Sequence, residues 1–278
     1  MNIVGIGSAG CNIAKEYSKY SQYKVFYVDY ENSGYENFVK IAKQNTHQAY
    51  EEEFAPTILS SLEGETTLIV CGSGKISGVT LRLLEELNKC KIKVLYVKAA
   101  EQDMSQASRL RDRLTSQVLQ QYARSGVIED ICIVSNQKVE EMIGQFSIKN
   151  YWQTINETIA GTLHMINVFN NIEPLLTNLT EAAASARITT VGVVDFETGK
   201  ETLFYDLSHP RNKLFYFGLN GNYIDENKTL LQDVRNMIKQ NSDENTNSSF
   251  SIYSTQYKEK YVYSVHKSSL IQEENLNL

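Results

Sequence analysis

The first half of the chain alternates short apolar runs with stretches whose apolar residues recur every three or four positions. Ile3-Val4-Gly5-Ile6 reads as a buried strand, and Ile13, Ala14 and Tyr17 as the apolar side of a helix. Lys24-Val25-Phe26-Tyr27-Val28 is a second strand ending on Asp29. The spacing predicts weak helix around Tyr35 to Lys43 and a short helical stretch near Leu59 to Leu62. Thr67 to Cys71 is again a strand, followed by an amphipathic helix from Val79 to Leu87. Lys93 to Val97, a long helix carrying Leu114, Val118, Leu119 and Tyr122, and the strand Asp130 to Val134 complete the series. Strand and helix alternating in this way predict an α/β class with a doubly wound parallel sheet.

A long helix is predicted from Lys149 to Phe169, with Trp152, Ile155, Ile159, Leu163 and Ile166 on one apolar stripe. Beyond it the pattern changes. A helix is expected near Pro174 to Ala184, then strands at Arg187 to Asp195 and Glu201 to Asp206 around a Thr198-Gly199 turn. A strand at Leu214 to Gly218, a helix at Leu230 to Ile238, and alternating strands at Phe250 to Tyr253 and Tyr261 to Val265 follow. The second half therefore reads as α+β with a mixed sheet. The expected organisation is a first domain at 1–148, a core helix and connection at 149–172, an α+β domain at 173–270 and a tail at 271–278.

Composition narrows the class. Apolar content of 42% and charged content of 22% are those of a globular chain, and a net charge of −6 disfavours a general nucleic-acid surface. No apolar run approaches the length of a membrane span, and no signal peptide opens the chain. Cys11, Cys71, Cys90 and Cys132 lie far apart without metal-ligand spacing, which suggests free thiols and a cytoplasmic setting. The four histidines form no ligand spacing either, so no metal site is expected.

Two glycine stretches carry the candidate chemistry. Gly5, Gly7 and Gly10 form G-x-G-x-x-G between a strand and a helix, with Ser8 and Ala9 inside the turn and Asp29 at the end of the next strand. In a βαβ unit such a turn holds phosphate, and the acidic residue suits a ribose hydroxyl. The second stretch, Gly72-Ser73-Gly74-Lys75-Ile76-Ser77-Gly78, also joins a strand to a helix. It is not a Walker loop, because Ile69 stands five residues before Gly74 where that motif requires glycine. Lys75 could supply a cation to phosphates or fill the site and exclude them, and Arg109, Arg111 and Arg113 read as a solvated helix face.

Taken together, these motifs in this order resemble the FtsZ/tubulin family of polymerising GTPases. Gly5, Gly7, Gly10 and Asn12 match its G-x-G-x-x-G-x-N opening. Gly72, Gly74, Ser77 and Gly78 match its G-G-G-T-G-[ST]-G loop, whereas Ser73, Lys75 and Ile76 depart from it. Asn136, closing Val134-Ser135-Asn136, looks like the family's guanine-side segment, and Trp152 with Asn156 looks like its base-stacking and base-bonding pair. The resemblance implies a nucleotide-binding domain joined by a long core helix to a smaller α+β domain. It further implies GTP or GDP as ligand, Mg2+ as its optional companion, and head-to-tail self-assembly into filaments.

The departures point to weak or absent hydrolysis. No glycine/alanine-rich loop occurs between Ala49 and Thr66, where Glu51, Glu52 and Glu53 would place carboxylates near a terminal phosphate. The family's paired catalytic aspartates have no counterpart, leaving Glu173 and Glu181 as candidate acids. Two alternatives stay open: a degenerate assembly protein of the same fold without turnover, and an NAD-binding oxidoreductase using Gly5, Gly7, Gly10 and Asp29.

Overall fold

The computed structural model describes residues 1–32, 34–145, 147–180 and 183–272. The chain divides into two compact units, Met1–Gly161 with Ile271–Leu278, and Thr162–Leu270.

The first unit runs β1 (Asn2–Ile6), α1 (Gly7–Tyr17), β2 (Lys24–Asp29), β3 (Phe38–Lys40), α2 (His47–Glu52), β4 (Gly64–Val70), α3 (Thr80–Glu86), β5 (Cys90–Lys98), α4 (Gln106–Ser125), β6 (Asp130–Ser135) and α5 (Asn136–Ile143). Its strands lie in the order 3-2-1-4-5-6, all parallel. The strands are apolar without alternation because both faces are covered: in β1 every residue from Ile3 to Ile6 is buried. Gly5 is opposite Tyr27 on one side and Ile69 on the other. A Cβ on Gly5 would lie 2.5 Å from the Gly10 carbonyl, and one on Gly10 would lie 2.8 Å from the Ile69 carbonyl. These two glycines therefore let α1 settle onto the sheet. The helix α4 is bounded as its sequence dictates, with Ser105 accepting from the Ser108 amide and Gly126 in the left-handed region at φ 82°.

The helix α6 (Tyr151–Asn170) carries the chain out of the first unit. The second unit contains β7 (Leu176–Thr177), β8 (Ile188–Val194), β9 (Glu201–Leu203), β10 (Asn212–Asn220), α7 (Gly221–Glu226), α8 (Leu230–Gln240), β11 (Asn247–Thr255) and β12 (Tyr261–Ser268). Its strand order is 8-12-10-11-7, with β9 on β8, and only the β10–β11 pair is parallel. Phe215, Phe217, Leu230, Val234 and Ile252 centre its core. The mixed sheet expected from the alternating pattern is present.

Several local expectations are corrected. The stretch from Tyr35 to Lys43 is not helical: Phe38–Lys40 pairs with β2 as an edge strand, with Val39 and Ile41 buried at alternate positions. Among the described residues between Pro174 and Ala184 there is no helix. Leu176–Thr177 pairs with β11, Asn178 Oδ1 accepts from the Phe250 amide, and Thr177 Oγ1 bonds Ser251 Oγ. Thr177 Oγ1 also accepts from the Leu179 amide two residues on, a local bond that competes against helix. On α4, Leu119 is buried, but Leu110, Leu114 and Val118 form an outward apolar row. The buried stripe of α6 keeps Ile155, Ile159 and Ile166 and excludes Trp152, which is 57% exposed.

Candidate functional site

The strand order reverses between β1 and β4, and a crevice at the carboxyl ends of such strands is where open parallel sheets bind ligands. A cavity of about 460 Å³ occupies that place. Ile6, Asp29 and Cys71 close it at the strand ends, with Gly7, Ser8 and Ala9 from α1 on one side and Ser73, Gly74, Lys75 and Ile76 on the other. Tyr30, Lys43, Gln44, Asn45 and Tyr50 complete the walls.

The first glycine turn is suited to an anion. Gly7 takes φ 63°, the left-handed conformation that glycine alone adopts freely. The helix behind it begins without a side-chain cap and without an acidic residue in its first turn, so its leading amides and dipole are uncompensated. Ser8 donates to Asp29 at 3.2 Å, and the Tyr30 amide donates to the same carboxylate at 2.7 Å. Burial pushes the Asp29 carboxyl up, and those two hydrogen bonds oppose the shift. Asp29 thus already holds two donors.

The second turn divides its residues between cleft and interior. A Cβ on Gly72 would meet the Tyr96 hydroxyl at 1.9 Å, and one on Gly78 would meet the His47 carbonyl at 2.1 Å. These glycines make room for the protein itself. The Ser77 hydroxyl donates to the Gly72 and Gly74 carbonyls at 3.0 and 2.7 Å, and the Arg111 guanidinium donates twice to the Ser73 carbonyl at 3.1 and 3.0 Å. Beneath the turn, buried Asp112 accepts from Tyr96 at 2.8 Å and pairs with Lys98 at 3.0 Å. Only Ser73, Gly74, Lys75 and Ile76 of this stretch face the cleft. Lys75 is exposed and, among the described residues, carries no ion pair. Arg111 is no solvated face residue: it fastens the loop.

The expected carboxylate crowding is absent from the cleft. α2 turns Tyr50 toward it, whereas Glu52 accepts from Gln48 and Glu53 accepts from Gln44. None of Glu51, Glu52 and Glu53 lines the cavity.

No sequence-family model matches the chain, and no curated protein matches it in sequence. Solved structures do. GDP-form protofilaments of TubZ from Bacillus thuringiensis serovar israelensis align at TM-score 0.71 and 13% identity, over 96% of this chain and 86% of that one. An empty FtsZ dimer from M. jannaschii aligns at TM-score 0.68 and 12% identity, over 96% and 87%. The GTPγS-bound protofilament of CetZ2 from Haloferax volcanii gives 0.68 and 12%, over 96% and 92%. The chain has the tubulin/FtsZ fold.

In this tubulin/FtsZ-like chain the remaining candidates lie outside the cleft walls. Asn12 is exposed and accepts from the Tyr35 hydroxyl at 3.2 Å. Asn136 opens α5, and its Oδ1 is buried with no hydrogen-bond partner among the described residues. Trp152 packs edge-on against Tyr151 at 4.8 Å, and Asn156 is half-buried one turn later. Glu173 is exposed after α6, and Glu181 lies outside the described residues. Lys43, whose ammonium sits 4.7 Å from the Tyr30 ring centre, and Tyr50 were not legible as cleft residues. Their segment carries no motif, and only strand β3 brings it alongside β2. Among the described residues no cluster of His, Cys, Asp or Glu could hold a metal ion, and none of the helices is long and apolar enough to cross a membrane.

Proposed function

We propose that this chain is a self-assembling protein of the tubulin/FtsZ kind that binds guanine nucleotide in the crevice between β1 and β4, with weak or absent hydrolysis. The observation that carries the reading is the cleft itself. An uncapped helix start at Gly7 to Ala9 faces a second glycine turn with a free lysine, at the switch point of a parallel sheet. That donor set suits a phosphate chain, with the amides of α1 and the ammonium of Lys75 neutralising it. Asn136, Trp152 and Asn156 remain the candidates for the base, and Mg2+ would travel with the nucleotide. Assembly is supported by the company the fold keeps: TubZ is known as protofilaments and as two-stranded and four-stranded filaments, and CetZ2 as a protofilament. A head-to-tail contact is heterologous and does not close on itself, so it generates filaments. Glu173, exposed and without a second acid near it in sequence, is a poor base for water, and turnover by it is expected to be slow.

The test is to denature the purified protein and identify any released nucleotide, then follow light scattering and phosphate release together after adding GTP, GDP, ATP or NAD. Guanine nucleotide in the supernatant and long-lived scattering with little phosphate support the reading. A preference for NAD, rapid GTP turnover, or a chain that stays monomeric with every nucleotide overturns it.

A further inference from the structure

The second glycine turn holds a residue that its sequence pattern singles out and the phosphate reading leaves without a role. Ile76 stands at the fifth position of the turn, where the resembling family carries glycine. Its Cγ2 lies 2.6 Å from the point a Cβ on Gly7 would occupy, and its Cβ and Cδ1 each lie 3.8 Å from that point. The same Cγ2 lies 3.7 Å from the corresponding point on Gly74. The branched side chain is therefore inserted between the two turns, touching one and within contact of the other. It occupies the close-approach space that the absence of a side chain at Gly7 leaves open.

The backbone cannot draw Ile76 away. Its neighbour Ser77 is buried and tied to the Gly72 and Gly74 carbonyls, and the Ser73 carbonyl is held by Arg111. Relief must come from the side chain, which is half-buried and lines the cavity, so it has solvent to turn into. A β-branched residue has few χ1 states, so that movement is a discrete switch between rotamers.

We propose that Ile76 is a plug between the two glycine turns, which a nucleoside diphosphate or triphosphate must turn aside to reach both sets of amides. The inference rests on the nucleotide reading of the cleft. A phosphate chain that spans both turns crosses the plugged space, whereas a monophosphate can bond to one turn alone. The plug therefore discriminates by phosphate number and lowers affinity most for the longer chains.

Titration calorimetry with GMP, GDP and GTP on the wild-type chain, Ile76→Ala and Ile76→Gly tests this. Folded variants should bind GDP and GTP at least about tenfold more tightly than wild type, a difference read directly as a Kd ratio, while GMP changes much less. Unchanged or weaker GDP affinity in a folded variant overturns the plug and leaves the nucleotide reading intact. An equal gain for GMP overturns the discrimination by phosphate number. No binding of any nucleotide by wild type or variants overturns the nucleotide reading, and the plug falls with it. Should both variants fail to fold, methyl-labelled isoleucine spectra of the wild-type chain decide instead. The Ile76 δ1 resonance must shift at saturating GDP, and a resonance that does not shift refutes the plug.

Discussion

Gly72 offers a sharp separation between a glycine that serves a ligand and one that serves the interior. Replacing it with alanine would put a methyl 1.9 Å from the Tyr96 hydroxyl, about 1.5 Å short of the 3.4 Å at which ordinary contact begins. Tyr96 is fully buried, and its hydroxyl bonds both the carboxylate and the backbone carbonyl of Asp112, so the ring cannot step aside freely. Overpacking a filled site costs about 1–3 kcal/mol, and loosening a hydrogen bond to a charged group about 1.5–3 kcal/mol. Allowing for overlap between the two, Gly72→Ala should destabilise by about 3 kcal/mol. In urea followed by far-UV circular dichroism, that lowers the midpoint by about 1–2 M. Tyr96→Phe removes the clashing oxygen and by itself costs about 1.5–3 kcal/mol, the worth of its bond to the Asp112 carboxylate. The double variant should be less destabilised than the sum of the singles by about 1–2 kcal/mol, the signature of residues in contact. Rescue stays partial because the new methyl would still lie 2.9 Å from Tyr96 Cζ and 3.0 Å from Asp112 Oδ1. Strict additivity refutes the reasoning. So would a Gly72→Ala chain of normal stability that loses only nucleotide binding, because then Gly72 faces the ligand.

Three further outcomes follow from the geometry. Lys75→Ala should weaken GDP binding about tenfold and flatten its salt dependence, since it removes a charge-assisted contact; a rise in affinity would show that the ammonium excludes phosphate. Burial pushes the Glu201 carboxyl up, but the ring of His266 at 2.7 Å, together with Ser264 and Lys213, outweighs it and holds the group below its ordinary 4.5. A depressed carboxyl contributes stability that is present above pH 4.5 and lost as pH falls through the lower folded value, so Glu201→Gln should flatten the acid limb of the thermal midpoint against pH; parallel limbs would contradict this. Burial pushes the thiols of Cys11 and Cys71 up to about 12, so both should resist Ellman's reagent at pH 8 until the chain unfolds, and prompt labelling of either in the native protein would count against their placement.

The parallel half of the fold was legible because its strands are continuous apolar runs, each ending in a turn and followed by helical spacing. Sequence reasoning failed where local pattern competes with tertiary pairing. Phe38-Val39-Lys40 is too short to show a period, and it is a strand only because β2 offers an edge. Leu176–Thr177 is drawn into pairing by β11, with Thr177 opposite a residue seventy-four positions on in the chain. At the cleft, the glycine pattern located both turns but could not say which way each glycine faces. Gly7 and Gly74 line the crevice, with the Ile76 side chain set against Gly7, whereas Gly72 and Gly78 yield space to Tyr96 and His47, whose contacts no spacing encodes. Arg111 was misread for the same reason: its value lies in a carbonyl thirty-eight residues earlier. Trp152 shared the helical period of the buried stripe yet sits at the first turn of α6, where that stripe has not begun.

The turn from Gly72 to Gly78 is fastened by the protein's own groups, with Ser77 and Arg111 bonding its carbonyls and the buried Tyr96 packed against Gly72. The entropy of ordering it is spent during folding, so binding does not have to meet that cost again. A jaw fixed in this way makes a poor messenger: its amides should exchange with solvent at nearly the same rate whether the crevice is full or empty. News of occupancy would have to leave by the opposite wall, through exposed Lys43 and Asn45 and the half-buried Gln44 between them, which are freer to respond.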